Sequence, residues 1–240
     1  VAGVWTTSNP LTTARGELAG CGTQMAGLAF GGNINVTEEY NGTSWTTVDP
    51  LTNTRRSIAG CGVQTAGLSF GGWTNSVSAV TEEYNGTSWT IVDPLTTARR
   101  YHAGAGVQTA GLCIGGVDAA SSALQSCEEY NGTSWSAGGS LQTAQGQHAG
   151  CGVQTAALSF GGAAIGYSGV TEEYDGTSWI TSAGSLQTAR SFLAGCGTLM
   201  AGLSFGGFNG SIIDNSEEYD GTSWTNVDPL NTARYVLAGC

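Results

Sequence analysis

The 240-residue chain contains no lysine, and its seven cations are all arginine against 18 acidic side chains, for a formal charge of -11. Such a balance argues against a nucleic-acid surface, which needs clustered positive charge. Charged residues make up only 10% of the chain, and there are four prolines, two methionines and two histidines. No apolar run approaches the roughly 18 residues needed to cross a bilayer, so no membrane insertion is expected. The opening residues lack the basic and apolar regions of a signal peptide. The chain begins at Val1 rather than methionine and stops inside a repeat at Cys240, which allows it to be a piece of a longer array. What is abundant is glycine, with 39 residues. Because a glycine inside a helix costs about 1 kcal/mol relative to alanine, strands joined by tight turns are the expectation.

A repeat of 40 to 46 residues runs through the chain. Glycine pairs stand at Gly31-Gly32, Gly71-Gly72, Gly115-Gly116, Gly161-Gly162 and Gly206-Gly207. Each is followed by Glu-Glu-Tyr, ending at Tyr40, Tyr84, Tyr130, Tyr174 and Tyr219, and five residues later by Trp45, Trp89, Trp135, Trp179 and Trp224. In the second unit, 58–63 and 66–70 read as strands turned at Gln64-Thr65, and 81–84 and 87–92 as two more turned at Asn85-Gly86. Asn-Gly predicts a two-residue type I′ hairpin. Two units carry Asp175-Gly176 and Asp220-Gly221 instead, which keeps the turn while abolishing the Asn-Gly-Thr glycosylation pattern, so the turn is the better reading. Four antiparallel strands per unit make a propeller blade. The expected fold is all-β: a five-bladed β-propeller, with units at about 12–51, 52–95, 96–141, 142–186 and 187–230 and part-units at 1–11 and 231–240. Two closures fit these part-units. Either the N-terminal strand around Trp5 completes the fifth blade, which is favoured, or the termini contribute to an incomplete sixth.

Leu68-Ser69-Phe70-Gly71-Gly72, Tyr84, Trp89, Pro94-Leu95 and Arg99 together resemble a kelch repeat, apart from a shorter tyrosine-to-tryptophan spacing. In that family the strand after the arginine often carries a histidine, and His102 and His148 stand there, in place of Leu18, Ile58, Leu193 and Leu237 of the other units. The wording of the units is also similar to repeats in predicted structural proteins of marine bacteriophages. These resemblances imply a single propeller domain, and a virion or extracellular surface as its place.

Nothing in the repeat points to catalysis. Neighbouring residues of a strand face opposite sides, so Glu82 and Glu83 do not converge on one substrate. Recurrence in every unit suggests that the glutamates hold the recurrent Arg15, Arg55, Arg99, Arg190 and Arg234, with Gln145 as the exception. Cys21, Cys61, Cys151, Cys196 and Cys240 share a position that Ala105 fills once, as expected of small buried groups rather than metal ligands. No catalytic residue, metal or cofactor is expected. Cys113 and Cys127 occur only in the third unit and suggest a disulfide between neighbouring strands.

The loops after the glycine pairs, 33–36, 73–80, 117–126, 163–170 and 208–216, differ from unit to unit and share a face with the Pro-Leu-to-arginine connections. They carry Trp73, Asn75, Asp118, Tyr167, Phe208, Asn209 and Asp214 as candidate ligand-binding residues. Aromatics beside amides and carboxylates suit a sugar ring. The expected function is a binding or virion-structural module that recognises a glycan or protein ligand. The alternative is a kelch-type propeller enzyme with its site in these loops.

Overall fold

A computed structural model describes residues 3–163 and 166–240; residues 164 and 165, in the fourth variable loop, lie outside the described residues. The structure is a β-propeller of five four-stranded antiparallel blades, spanning 19–48, 59–92, 103–137, 149–181 and 194–227. In the second blade β5 (Ala59–Val63), β6 (Ala66–Phe70), β7 (Thr81–Tyr84) and β8 (Trp89–Val92) follow one another from the axis outwards.

Of the two turns of this blade the first is as expected and the second is not. The two-residue hairpin is Gln64-Thr65, since Val63 pairs with Ala66. Asn85-Gly86 belongs to a four-residue loop between the paired Tyr84 and Trp89. Only Gly86 has positive φ (86°), so the turn is not type I′. Instead Asn85 Oδ1 accepts the N–H groups of Thr87 and Ser88, both at 2.9 Å. Asp175 Oδ1 does the same for Thr177 and Ser178 at 2.8 Å, which is why aspartate substitutes freely.

The hydrophobic core lies between blades. Ala19, Cys21, Leu28 and Phe30 of the first blade pack on Tyr84 and Trp89 of the second, with Leu51 and Ile58 of the connection completing the layer. Phe30 and Trp89 meet with ring centroids 5.0 Å apart. Burying each such side chain contributes about 1.5–3 kcal/mol, so blade–blade packing dominates stability. Glycines make the approach possible: a Cβ on Gly60 would stand 2.4 Å from Phe30 Cζ.

The paired glutamates divide their work. The first, Glu82, takes Arg55 of its own unit at 2.7 Å, both side chains being fully buried. The guanidinium also reaches Gly71 O, Val80 O and Ser69 Oγ. The second, Glu39 of the preceding blade, accepts the Tyr84 hydroxyl at 2.9 Å. Where Gln145 replaces arginine the effect on the glutamate is visible. Burial raises Glu172 above the ordinary carboxylate range, and backbone N–H groups of Gln142 and Thr143 offset only part of it. For Glu38 burial acts in the same direction, but hydrogen bonds from Thr12 and Arg15 outweigh it and hold the carboxyl low.

The favoured closure is corrected by the seam. The fifth blade has its own outer strand at Trp224–Val227, so the N-terminal strand does not complete it. Trp5 instead stacks on Phe205 at 5.1 Å, as Trp89 stacks on Phe30, and donates to Ser216 Oγ at 3.1 Å. The C-terminal segment lies where a further innermost strand would, with Gly239 beside Phe205 as Gly60 is beside Phe30. Five blades are complete, and the two termini share a sixth sector around the axis.

The disulfide expectation is also corrected. Both thiols are free. Cys113 is paired with Glu128 and Ile114 with Cys127, so the two sulfurs lie on opposite faces of the blade. They belong to different inter-blade cores.

Candidate functional site

One mouth of the central channel is framed by a cycle of six backbone hydrogen bonds. Ser57 donates to Glu17, Tyr101 to Ser57, Gln147 to Tyr101, Phe192 to Gln147, Val236 to Phe192 and Glu17 to Val236, at 2.8 to 3.4 Å. All six residues have left-handed backbones, with φ between 51° and 59°. None is glycine, and no two are alike. A left-handed backbone costs an L-residue roughly 1–2 kcal/mol, and such residues collect at functional sites.

Beneath the rim lies a second ring of Leu18, Ile58, His102, His148, Leu193 and Leu237. Burial, then the charge of Arg99, depresses His102 to about 3, and burial takes His148 to about 4. Both imidazoles are therefore neutral near pH 7, with His102 Nε2 set 3.1 Å from Phe70 O. The cavity at this mouth measures about 80 Å³. At about 30 Å³ per water it holds two or three waters, far short of the roughly 300 Å³ of an enclosing ligand pocket.

The variable loops join this rim through backbone bridges: Trp73 pairs with Arg56, Val117 with Arg100, Ala163 with Gly146 and Phe208 with Ser191. A row of aromatics results. Arg100 lies over Trp73 at 4.5 Å and over Tyr101 at 5.1 Å. Tyr101 meets Phe192 edge-on at 5.5 Å, Phe192 meets Tyr235 at 6.3 Å, Tyr235 meets Phe208 at 6.0 Å, and Phe208 meets Tyr167 at 5.8 Å. Tyr167 and Tyr235 are the exposed members, at 44% and 47%. On the other side of the mouth Glu17 accepts the Ser57 hydroxyl and lies 3.8 Å from Arg56, which donates to Asn33.

Of the residues expected from sequence, the structure brings Tyr167 and Phe208 into contact and ties Trp73 to the same row through Arg100. Among the described residues no side-chain hydrogen bond joins Asn75, Asp118, Asn209 or Asp214 to that row. Asp118 Oδ1 accepts Ala120 and Ser122 of its own loop, both at 2.9 Å. Asp214 lies at the outer corner beside Leu230, and Asn75 and Asn209 are exposed on their loops. Missed from sequence were Glu17, Arg56, Ser57, Arg100, Tyr101, Gln147, Phe192 and Tyr235. Their signal was present: the second position after the recurrent arginine differs in every unit, as Glu17, Ser57, Tyr101, Gln147, Phe192 and Val236, within an otherwise repetitive strand entry.

At the opposite end of the channel a second cavity of about 170 Å³ is lined by the Gly-Cys-Gly segments of four innermost strands, Gly104-Ala105-Gly106 of the third blade and Gly239-Cys240. The thiols are wedged between blades: Cys21 Sγ would lie 3.5 Å from a Cβ on Gly67. Burial pushes Cys21 and Cys151 up to about 12, so neither is a thiolate at neutral pH.

No known family model matches the chain, and no curated protein does.

Proposed function

We propose that this propeller is a non-enzymatic binding module that recognises carbohydrate on the rim of its channel. The observation that carries this reading is the continuous aromatic row from Trp73 to Tyr167, set on the face where the repeats differ. Exposed Tyr235 and Tyr167 offer flat apolar surfaces for sugar faces, while Arg100, Gln147 and Glu17 supply donors and acceptors for hydroxyls around them. Trp73 has a supporting part, because the guanidinium of Arg100 already covers its ring. The carboxylates most suited to acid–base work are engaged elsewhere, in arginine pairs and tyrosine hydrogen bonds. The kelch-like wording of the repeat and its similarity to phage structural repeats support a place on a particle or cell surface, where a glycan receptor is met.

A glycan array, followed by titration of the best oligosaccharide, tests this. Tyr235→Ala is expected to weaken binding about tenfold, or about 1.4 kcal/mol, and Trp73→Ala less, by freeing Arg100. Absence of any saturable glycan binding, or an unchanged affinity in Tyr235→Ala, would sink the proposal.

A further inference from the structure

Four blades bury an arginine against the first glutamate of the Glu-Glu pair: Arg15 with Glu38, Arg55 with Glu82, Arg99 with Glu128 and Arg190 with Glu217. In the second blade Arg55 Nη1 donates to Gly71 O at 2.6 Å and Val80 O at 3.0 Å, and Nη2 to Ser69 Oγ at 3.1 Å and Glu82 Oε1 at 2.7 Å. In the third, Arg99 reaches Gly115 O at 2.8 Å, Ser126 O at 2.6 Å and Glu128 Oε1 at 2.7 Å. The guanidinium is thus held by oxygen atoms, one carboxylate among them.

The fourth blade keeps these oxygens and has Gln145 where the arginine stands. Ser159 pairs with Glu172 as Ser69 pairs with Glu82. Gly161 N donates to Val170 O at 3.0 Å, as Gly71 N does to Val80 O. Gly161 and Gly162 have φ of 72° and 99°, against 64° and 104° for Gly71 and Gly72. Gln142 N donates to Glu172 Oε2 at 2.7 Å, as Thr52 N does to Glu82 Oε2. Glu172 Oε1, Ser159 Oγ, Gly161 O and Val170 O therefore take the positions that their counterparts hold around Arg55. Gln145 is 3% exposed, and its Nε2 turns to Ser168 Oγ at 3.4 Å. Its Oε1 is buried without a hydrogen-bond partner and lies against the same glycine pair, 3.1 Å from a Cβ on Gly162.

Glu172 is 1% exposed and, among the described residues, forms no ion pair. Its donors are the backbone N–H groups of Gln142 and Thr143. Buried charges are paired or coordinate metals, and one left without a counter-charge is costly. An all-oxygen donor set suits a hard cation, and carbonyl oxygens replace the hydration shell of an alkali ion. One carboxylate matches one positive charge, as it does with the guanidinium of the other blades. We propose that the fourth blade binds a single alkali-metal cation, Na+ or K+, between Glu172, Ser159, Gly161, Val170 and Gln145. Bound there, it opposes the burial that raises the Glu172 carboxyl above its ordinary range.

The test is thermal unfolding at about pH 8, where a free carboxyl is ionised, followed by tryptophan fluorescence. Choline chloride is exchanged for NaCl, KCl or CaCl2 at a constant ionic strength of about 150 mM. A saturable rise in the midpoint with NaCl or KCl is expected, about 5–11 °C when the cation stands at about a hundredfold its Kd. The two alkali arms show which ion is preferred. Gln145→Arg restores the residue of the other blades, so it is expected to fold, to melt above the parent in choline chloride and to lose the rise. Glu172→Gln should weaken the cation at least tenfold. A midpoint unchanged by either alkali chloride, a response to CaCl2 alone, or a rise that persists undiminished in both variants would each overturn the proposal.

Discussion

Replacing both buried histidines by the leucine that other units carry should remove an acid sensitivity built into this propeller. His102 and His148 are 6% exposed, and His102 Nδ1 and both nitrogens of His148 lack a hydrogen-bond partner. Burial, joined at His102 by Arg99, lowers the folded values to about 3 and about 4. An unfolded histidine titrates near 6.5. Below that pH the unfolded chain takes up protons that the folded chain refuses, so stability is fully present above about 6.5 and falls as pH drops toward the folded values. Each such histidine costs about 1.4 kcal/mol per pH unit in that window. Between pH 7 and pH 5 the loss is about 2 kcal/mol per residue and about 4 kcal/mol for the pair.

Urea unfolding followed by tryptophan fluorescence at pH 7, 6 and 5 measures this directly. The His102→Leu/His148→Leu protein is expected to lose about 4 kcal/mol less than the parent between pH 7 and 5, or about 8–16 °C less in Tm. Carboxylates such as Glu38 and Glu172, whose values are shifted in opposite directions, are common to both proteins and cancel in the difference. An equal pH dependence in the two proteins, or imidazole protons that titrate between pH 6 and 7 in the folded state, would refute the reasoning.

Two further substitutions probe the blade contacts. Gly60→Ala places a methyl 2.4 Å from Phe30 Cζ and 2.9 Å from Leu68 O and should cost about 1–3 kcal/mol. Gly20→Ala occupies the equivalent site facing the C-terminal segment, where the nearest atom is at 3.4 Å and no ring presses on it, and should change unfolding free energy by about 0.5 kcal/mol or less. In the third blade Cys127 replaces the threonine that receives a tryptophan N–H elsewhere, and Trp179 Nε1 is left without a partner. Cys127→Thr should restore that hydrogen bond and stabilise the protein by about 0.5–1.5 kcal/mol, read from the same urea transitions.

The blades were legible because each unit repeats the residues that make inter-blade contacts: glycine for approach, phenylalanine and tryptophan for the core, arginine and glutamate for the buried pair. The seam was not legible, because the position of Trp5 in the repeat does not say which blade its ring will lie on. In the structure Trp89, Trp135 and Trp224 each lean on the phenylalanine of the preceding blade, and Trp5 obeys that rule at Phe205. The Asn-Gly dipeptide was outweighed by the Thr-Ser that follows it, whose N–H groups close an Asx turn and lengthen the loop to four residues. The Cys113–Cys127 expectation failed on parity. Its strands are neighbours, but the register that pairs Ser69 with Glu82 in the second blade pairs Cys113 with Glu128 in the third.

For the site, exposed loop aromatics were visible in the sequence, whereas the rim that organises them was not. The distinction between architecture and function can nevertheless be drawn within the chain itself. Wherever the blades need positive φ at a glycine pair, the repeat supplies glycine, as at Gly31 and Gly32 with φ of 74° and 93°. At the channel mouth the same chain accepts left-handed backbones for Glu17, Ser57, Tyr101, Gln147, Phe192 and Val236. Glycine there would relieve roughly 1–2 kcal/mol per residue. Identical side chains would be expected if packing alone dictated the position, as it does for the phenylalanines beneath the blades. A position that is both costly and different in each of six sectors is not dictated by the repeated blade packing, and this supports the rim as the recognition surface proposed above. Tyr235 and Val236 belong at once to this rim and to the C-terminal segment, so the segment that closes the hydrogen-bond cycle also completes the aromatic row.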